Sequence, residues 1–357
     1  MMKKELLLAL SCSAWLAALP STGLAQTAPL PALDADLSQT SVSGISSGGF
    51  MAAQLATAYS ATFTGVGVIA AGPYYCAGTY EALPLLQNAL TTCMSPLAPS
   101  VGADARVSWK NALRFAAAGK IDPVANLARQ RVYIFSGGGD RTVKTMVVDQ
   151  VEQYYRLAGT PAQSIRYHKD ASAGHSIITK AAGDVACPMT LAPFINNCGF
   201  VQSHELLRHI YPQKKSAPIT AAAQGEIIQF NQSEFVKGTR SSMDQDAYVY
   251  VPKYCKSNRC IVHVALHGCL QGAGRIGARF YTGTGYNEYA DQNKMIVLYP
   301  QAAVSTGVPP NPQGCWDFWG YSSEDQNAPS FFTQGAPQMS AIVAMVRRLG
   351  QARSAQP

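Results

Sequence analysis

A serine flanked by glycines stands where a strand-like run turns into a helix-like run, and this junction constrains the fold more than any other feature of the chain. Residues 40–43 read as a short β-strand and 49–59 as a helix rich in Ala and small residues, with Gly44-Ile45-Ser46-Ser47-Gly48 between them. In that setting a G-x-S-x-G turn is sharp, and the small flanking residues let it pack while it lifts the central hydroxyl clear of the backbone. Ser46 is therefore a candidate nucleophile. A Gly/Ser-rich turn is a weak signal by itself, so the reading depends on a base and an orienting acid appearing elsewhere.

Strands and helices alternate along the rest of the chain. Residues 65–71, 131–135, 164–168, 247–251, 261–266 and 295–299 read as strands, and 107–118, 143–157 and 339–349 as helices. Strands separated by helices predict an α/β fold, a mainly parallel sheet covered on both faces. Repeats and heptads are absent, and 214–224 is the one candidate seam, so 26–357 is expected to form a single catalytic domain.

Both partners of the serine follow at strand ends. Asp140, in Gly139-Asp140-Arg141, comes just after the strand 131–135, although an Asp there could equally cap the next helix. His175, in Gly174-His175-Ser176, comes after the strand ending at His168. Ser46, Asp140 and His175 thus occur in the chain order of an α/β-hydrolase, with Asp170 the alternative acid. The oxyanion of such a site needs two backbone N–H donors, one from the residue after the nucleophile, here Ser47. The other comes from a His-Gly loop that ordinarily precedes the elbow. Here it follows far downstream, as His267-Gly268-Cys269 after the strand 261–266, which makes Cys269 the second candidate donor. The last third of the chain supplies what is usually the first half. We read this as a circular permutation, with the helix 339–349 ending near the start of the elbow strand.

Composition and cysteine usage restrict the setting. Charged residues make up 14% and apolar residues 47%, and the net charge of +7 is scattered rather than gathered into a stripe, so nucleic acid is not expected as a partner. Lys3 and Lys4, the apolar run 6–19 and Thr22-Gly23-Leu24-Ala25 read as a signal peptide, 1–25, cleaved after Ala25. That run is shorter than the roughly 20 residues of a membrane span, and no other segment is a better candidate. The product is expected outside the cytoplasm, in the periplasm or the medium, as a monomer. Of nine cysteines, Cys12 leaves with the signal, and the other eight suggest four disulfides. Loop-closure entropy favours sequence neighbours: Cys76 with Cys93, Cys187 with Cys198, Cys255 with Cys260, and Cys269 with Cys315. No Cys/His cluster has zinc-ligand spacing, and His204 and His209 would not share a helix face, so neither metal nor cofactor is expected.

Four stretches together carry a family resemblance: 41–55 (SVSGISSGGFMAAQL), 71–77 (AGPYYCA), 266–271 (LHGCLQ) and 311–321 (NPQGCWDFWGY). The chain resembles the circularly permuted, single-domain branch of the secreted poly(3-hydroxybutyrate) depolymerases. The resemblance implies ester hydrolysis by Ser46, Asp140 and His175, with the Ser47 and Cys269 amides holding the oxyanion and Trp316 lining the substrate crevice. Many members add a linker and a polymer-binding domain, whereas 36 residues follow Tyr321 here, which leaves attack on crystalline polymer an open question. Phe318 stands where relatives place another Trp. An uncharged polyester calls for apolar, aromatic walls, which Trp316, Trp319, Tyr321, Tyr74 and Tyr75 could supply, Trp319 being the one better suited to the core. Two other readings stay open: an exported esterase of acylated plant polysaccharide (acetylxylan or feruloyl type), and a catalytically silent polymer-binding protein.

Overall fold

The computed structural model describes residues 28–214 and 217–353; the expected signal peptide lies outside them. Among the described residues there are eleven strands: β1 Asp36–Ile45, β2 Phe63–Ile69, β3 Arg131–Gly137, β4 Ile165–Asp170, β5 Ile177–Thr179, β6 Val185–Ala186, β7 Ile195–Asn197, β8 Glu226–Asn231, β9 Asp246–Val251, β10 Ile261–Leu266 and β11 Met295–Tyr299. Eight of them form one sheet in the order β4-β3-β2-β1-β10-β11-β9-β8. From β4 to β11 all neighbours are parallel, and β9 and β8 add an antiparallel edge.

Near-continuous apolar strands are what a sheet buried on both faces requires. Alternation along each strand sends Val42, Val66, Val132, Val264 and Leu298 into one core and Ile45, Ile69, Phe135, Ala265 and Tyr299 into the other. The first core packs against four helices: α1 Ser47–Ala58, α2 Ala105–Ala117, α3 Thr145–Leu157 and, at the end of the chain, α6 Pro337–Leu349. Every residue of α1 is buried, which explains its small, all-round apolar sequence. The second core is covered by α4 Gln202–Ile210 and α5 Tyr286–Asn293. Gly67 in β2 permits α4 to approach, because a Cβ there would lie 2.3 Å from Leu206 Cδ1.

The connectivity is permuted as the order of motifs suggests. The elbow strand β1 comes first in the chain yet lies mid-sheet, between β2 and β10. Leu33 N and Ala35 N both donate to Leu349 O, at 3.1 and 2.9 Å, so the end of α6 leads directly to the start of β1. All four cysteine pairs favoured by loop-closure entropy are present as disulfides. The segment 171–246, which shows little periodicity, holds α4, β8 and a small sheet in the order β5-β7-β6. Strands of two or three residues are too short to show an alternating pattern.

Candidate active site

Ser46 follows the last residue of β1 and adopts φ 56°, ψ −125°, a sterically costly conformation for a residue with a Cβ. Hydrogen bonds hold it there, from Ser46 N to Ile69 O at 2.9 Å and from Phe50 N to Ser46 O at 3.0 Å. The elbow can pack only because Gly48 lacks a side chain: a Cβ there would lie 2.3 Å from His267 O. Ser46 Oγ makes no hydrogen bond among the described residues, and Ser47 Oγ is buried without a partner.

Asp140 and His175 meet at the ends of β3 and β4. Gly138 N donates to Asp170 O at 2.7 Å and Gly139 N to Ala173 O at 3.0 Å, which draws the two loops together. Asp140 Oδ1 accepts from Thr142 N and Val143 N at 2.8 and 2.9 Å, while Oδ2 accepts from His175 Nδ1 at 2.7 Å. One carboxylate therefore closes its own turn and orients the imidazole. With Nδ1–H given to Asp140, His175 Nε2 is left as the proton acceptor. His175 N donates to Thr190 Oγ1 at 3.0 Å, and the Cys187–Cys198 disulfide ties the same region. Asp170 is occupied locally, accepting from Ser172 N, Ser172 Oγ and Ala173 N.

The His-Gly loop after β10 lies against the serine; a Cβ on Gly268 would be 3.2 Å from Ser46 Cβ. His267 braces this loop, its Nδ1–H donating to Gly268 O at 2.7 Å and its Nε2 accepting from Ala302 N at 3.1 Å. Gln271, which the sequence reading did not single out, accepts from Gly268 N at 2.7 Å and donates to Pro193 O and Phe194 O. Cys269 is fastened to Cys315, and its amide donates to no acceptor among the described residues. The amide of Ser47, in the first turn of α1, likewise has no intrahelical partner.

A cleft of about 740 Å³ opens beside Cys269. Its walls include Cys315, Phe318, Trp319 and Tyr321 together with Leu85, Leu86, Leu90 and Met94. Phe318 is stacked on Phe50 with ring centroids 4.1 Å apart. Asp317 shapes this aromatic turn from within: Oδ1 accepts from Trp319 N and Gly320 N, and Oδ2 from Ser322 N and Oγ. Burial raises its pKa against the opposing pull of those bonds.

The aromatic assignments change accordingly. Trp316 is fully buried, 5.4 Å from the His267 ring, and is not part of the cleft wall. Cys315, tied to Cys269, reaches the cleft, while Trp316 beside it packs inward against the His267 ring. Trp319, the residue expected in the core, lines the cleft instead. Tyr74 is fully buried and donates to Phe332 O at 2.7 Å, and Tyr75 joins an aromatic cluster with Phe115, Phe331 and Phe332. His204 and His209 each bond a backbone carbonyl, Gly285 O and Ser164 O.

Burial has a consequence for acid stability. It lowers the pKa of His204 to about 4, of His263 to about 3 and of His267 to about 4. Unfolded histidines titrate near ~6.5. These groups add no instability above that pH, but below it the unfolded chain binds protons that the folded one does not, so stability falls as the pH drops towards about 4. Denaturation midpoints should be level between about pH 7 and 9 and decline steeply between about 6.5 and 4. Equal midpoints at about pH 7 and 4.5 would contradict this.

Fold and site define the chain as an α/β-hydrolase with a candidate serine-esterase site. No family profile matches it. It is 41% identical over 324 residues to the poly(3-hydroxybutyrate) depolymerase of Delftia acidovorans, covering 90% of this chain and 61% of that protein. It is 37% identical to the polyhydroxybutyrate depolymerase of Talaromyces funiculosus, over 94% of this chain and 96% of that protein. The crystal structure of PHB depolymerase from Penicillium funiculosum superposes with a TM-score of 0.77 at 34% identity, covering 90% of this chain and 98% of that one, and a second such structure is complexed with an R3HB trimer. The chain belongs to the polyhydroxybutyrate depolymerase family. It spans about three fifths of the length of the Delftia relative.

Among the described residues, no helix is long and apolar enough to cross a membrane.

Proposed function

We propose that the chain hydrolyses the ester bonds of poly(3-hydroxybutyrate) and its oligomers. Ser46 attacks the ester carbonyl, and His175 Nε2 takes the hydroxyl proton while Asp140 holds the imidazole and offsets its charge. The tetrahedral oxyanion is held by the Ser47 and Cys269 amides, and collapse expels the alcohol end of one chain fragment with the proton from His175. Water, activated by the same histidine, then releases the carboxylate from the acyl-enzyme. The observation that carries this reading is the His-Gly loop, which lies against Ser46 and carries Cys269 into the wall of a mainly apolar and aromatic cleft, as an uncharged polyester requires, with the pairing of His175 and Asp140 supplying base and acid. Relatives named as depolymerases of this polymer support the same substrate. The reading also has the chain exported as one catalytic domain, 26–357, and acting as a monomer, in a compartment where its four disulfides persist.

Clearing of polymer granules, compared with release of acetate from acetylated xylan and of ferulate from feruloyl esters, tests the substrate. Granule clearing with little action on the plant esters is expected; the reverse order of rates would replace the polyester with acylated polysaccharide.

The Cys269–Cys315 disulfide should serve both stability and rate. It closes a loop with a sequence separation of 46 residues, for which chain entropy predicts about 4 kcal/mol. Because its sulfur positions the loop whose amide holds the oxyanion, Cys269→Ser with Cys315→Ser should lower the melting temperature and also reduce turnover in protein that remains folded. A folded double mutant with unchanged turnover would remove Cys269 from the oxyanion hole.

A further inference from the structure

The cleft contains one charged residue. Arg240 lies in its wall among leucines, prolines and aromatic rings. Its Nη2 donates to Tyr321 O at 3.3 Å, whereas its Nε is buried without a partner. Among the described residues no carboxylate pairs with it. Glu324, close along the same surface, accepts from Thr239 N instead. A guanidinium held against apolar walls loses hydration, and that loss is recovered only when an anion arrives. The interior of a polyester chain carries no charge, but the end of every chain and every released fragment carries a carboxylate.

We propose that Arg240 is a binding subsite for the free carboxylate end of an oligoester. This rests on the ester-hydrolase reading above and adds a specificity to it. A planar guanidinium with free N–H groups matches a carboxylate. Its position is also set relative to the reaction centre. Tyr321, whose carbonyl holds Arg240, donates its hydroxyl to Cys315 O at 2.6 Å and accepts from Asn311 and Gln338 at 3.0 and 2.9 Å. Cys315 is in turn bonded to Cys269, whose amide faces the oxyanion in this reading. A chain end anchored at Arg240 would therefore place an ester a set number of units away at Ser46, so short oligomers with a free carboxyl end are bound in one register.

The test compares a hydroxybutyrate trimer as its free acid and as its methyl ester, with wild type, Arg240→Gln and Arg240→Lys. Wild type should hydrolyse both, with a KM for the free acid about tenfold lower, as expected for a charge-assisted contact. The KM ratio should approach one in Arg240→Gln, recover in part in Arg240→Lys, and shrink for wild type as salt is raised. Equal KM values for acid and methyl ester in wild type would overturn the subsite while leaving the hydrolase reading intact, and so would an Arg240→Gln variant that keeps the wild-type ratio. Hydrolysis of neither compound by wild type would overturn both.

Discussion

Replacing Ser46 by alanine is expected to lower turnover about 10⁶-fold, since losing the nucleophile disables the whole catalytic unit. The substitution leaves the elbow's supports in place. The backbone bonds from Ser46 N to Ile69 O and from Phe50 N to Ser46 O do not involve the side chain, and Gly48 still fits beneath His267 O. Loss of activity with an unchanged melting temperature would therefore report chemistry rather than folding. Ser47→Ala should be much milder, because the buried Ser47 hydroxyl has no partner to lose and its amide remains. A serine-directed phosphonate should label the peptide containing Ser46 in wild type and fail to label Ser46→Ala. Continued labelling of that variant at Ser47 would transfer the nucleophile to the neighbouring residue.

Asp140→Asn should cost on the order of 10⁴-fold in rate while sparing the fold. The asparagine oxygen can keep accepting from Thr142 N and Val143 N, as Asp140 Oδ1 does. Its amide then faces His175 Nδ1, where Oδ2 now accepts. Two donors cannot share that contact, so the imidazole must carry its proton on Nε2 and can no longer take one from serine. Asp170→Asn is the control, since Asp170 serves its own turn through Ser172 and Ala173. Near-normal turnover in Asp140→Asn together with a large loss in Asp170→Asn would exchange the two assignments.

How much of this could be read beforehand depended on how local each signal was. The elbow around Ser46, the Gly-Asp after 131–135 and the Gly-His after 164–168 each sit at the end of a recognisable apolar strand. The disulfides followed from loop closure between sequence neighbours. The permutation followed from the order of the motifs alone, since a His-Gly loop appearing after the elbow must come back to it in space. The aromatic residues were less tractable. Trp316 and Trp319 stand three positions apart on an irregular segment, where no period tells which side chain turns outward. The choice was made by Cys315 and by the four hydrogen bonds around Asp317.

Sequence alone therefore determined the class of fold, the disulfide pairing and the candidate chemistry, because periodicity, chain-closure entropy and the elbow pattern are properties of neighbouring residues. Tertiary structure alone decided the cleft: that Phe318, Trp319 and Leu86 form walls, that Trp316 and Tyr74 are packed inside, and that Arg240 stands there with no carboxylate partner among the described residues. Those residues come from segments far apart in the chain. Whether each faces solvent or core follows from how the segments crowd one another, which no local pattern encodes.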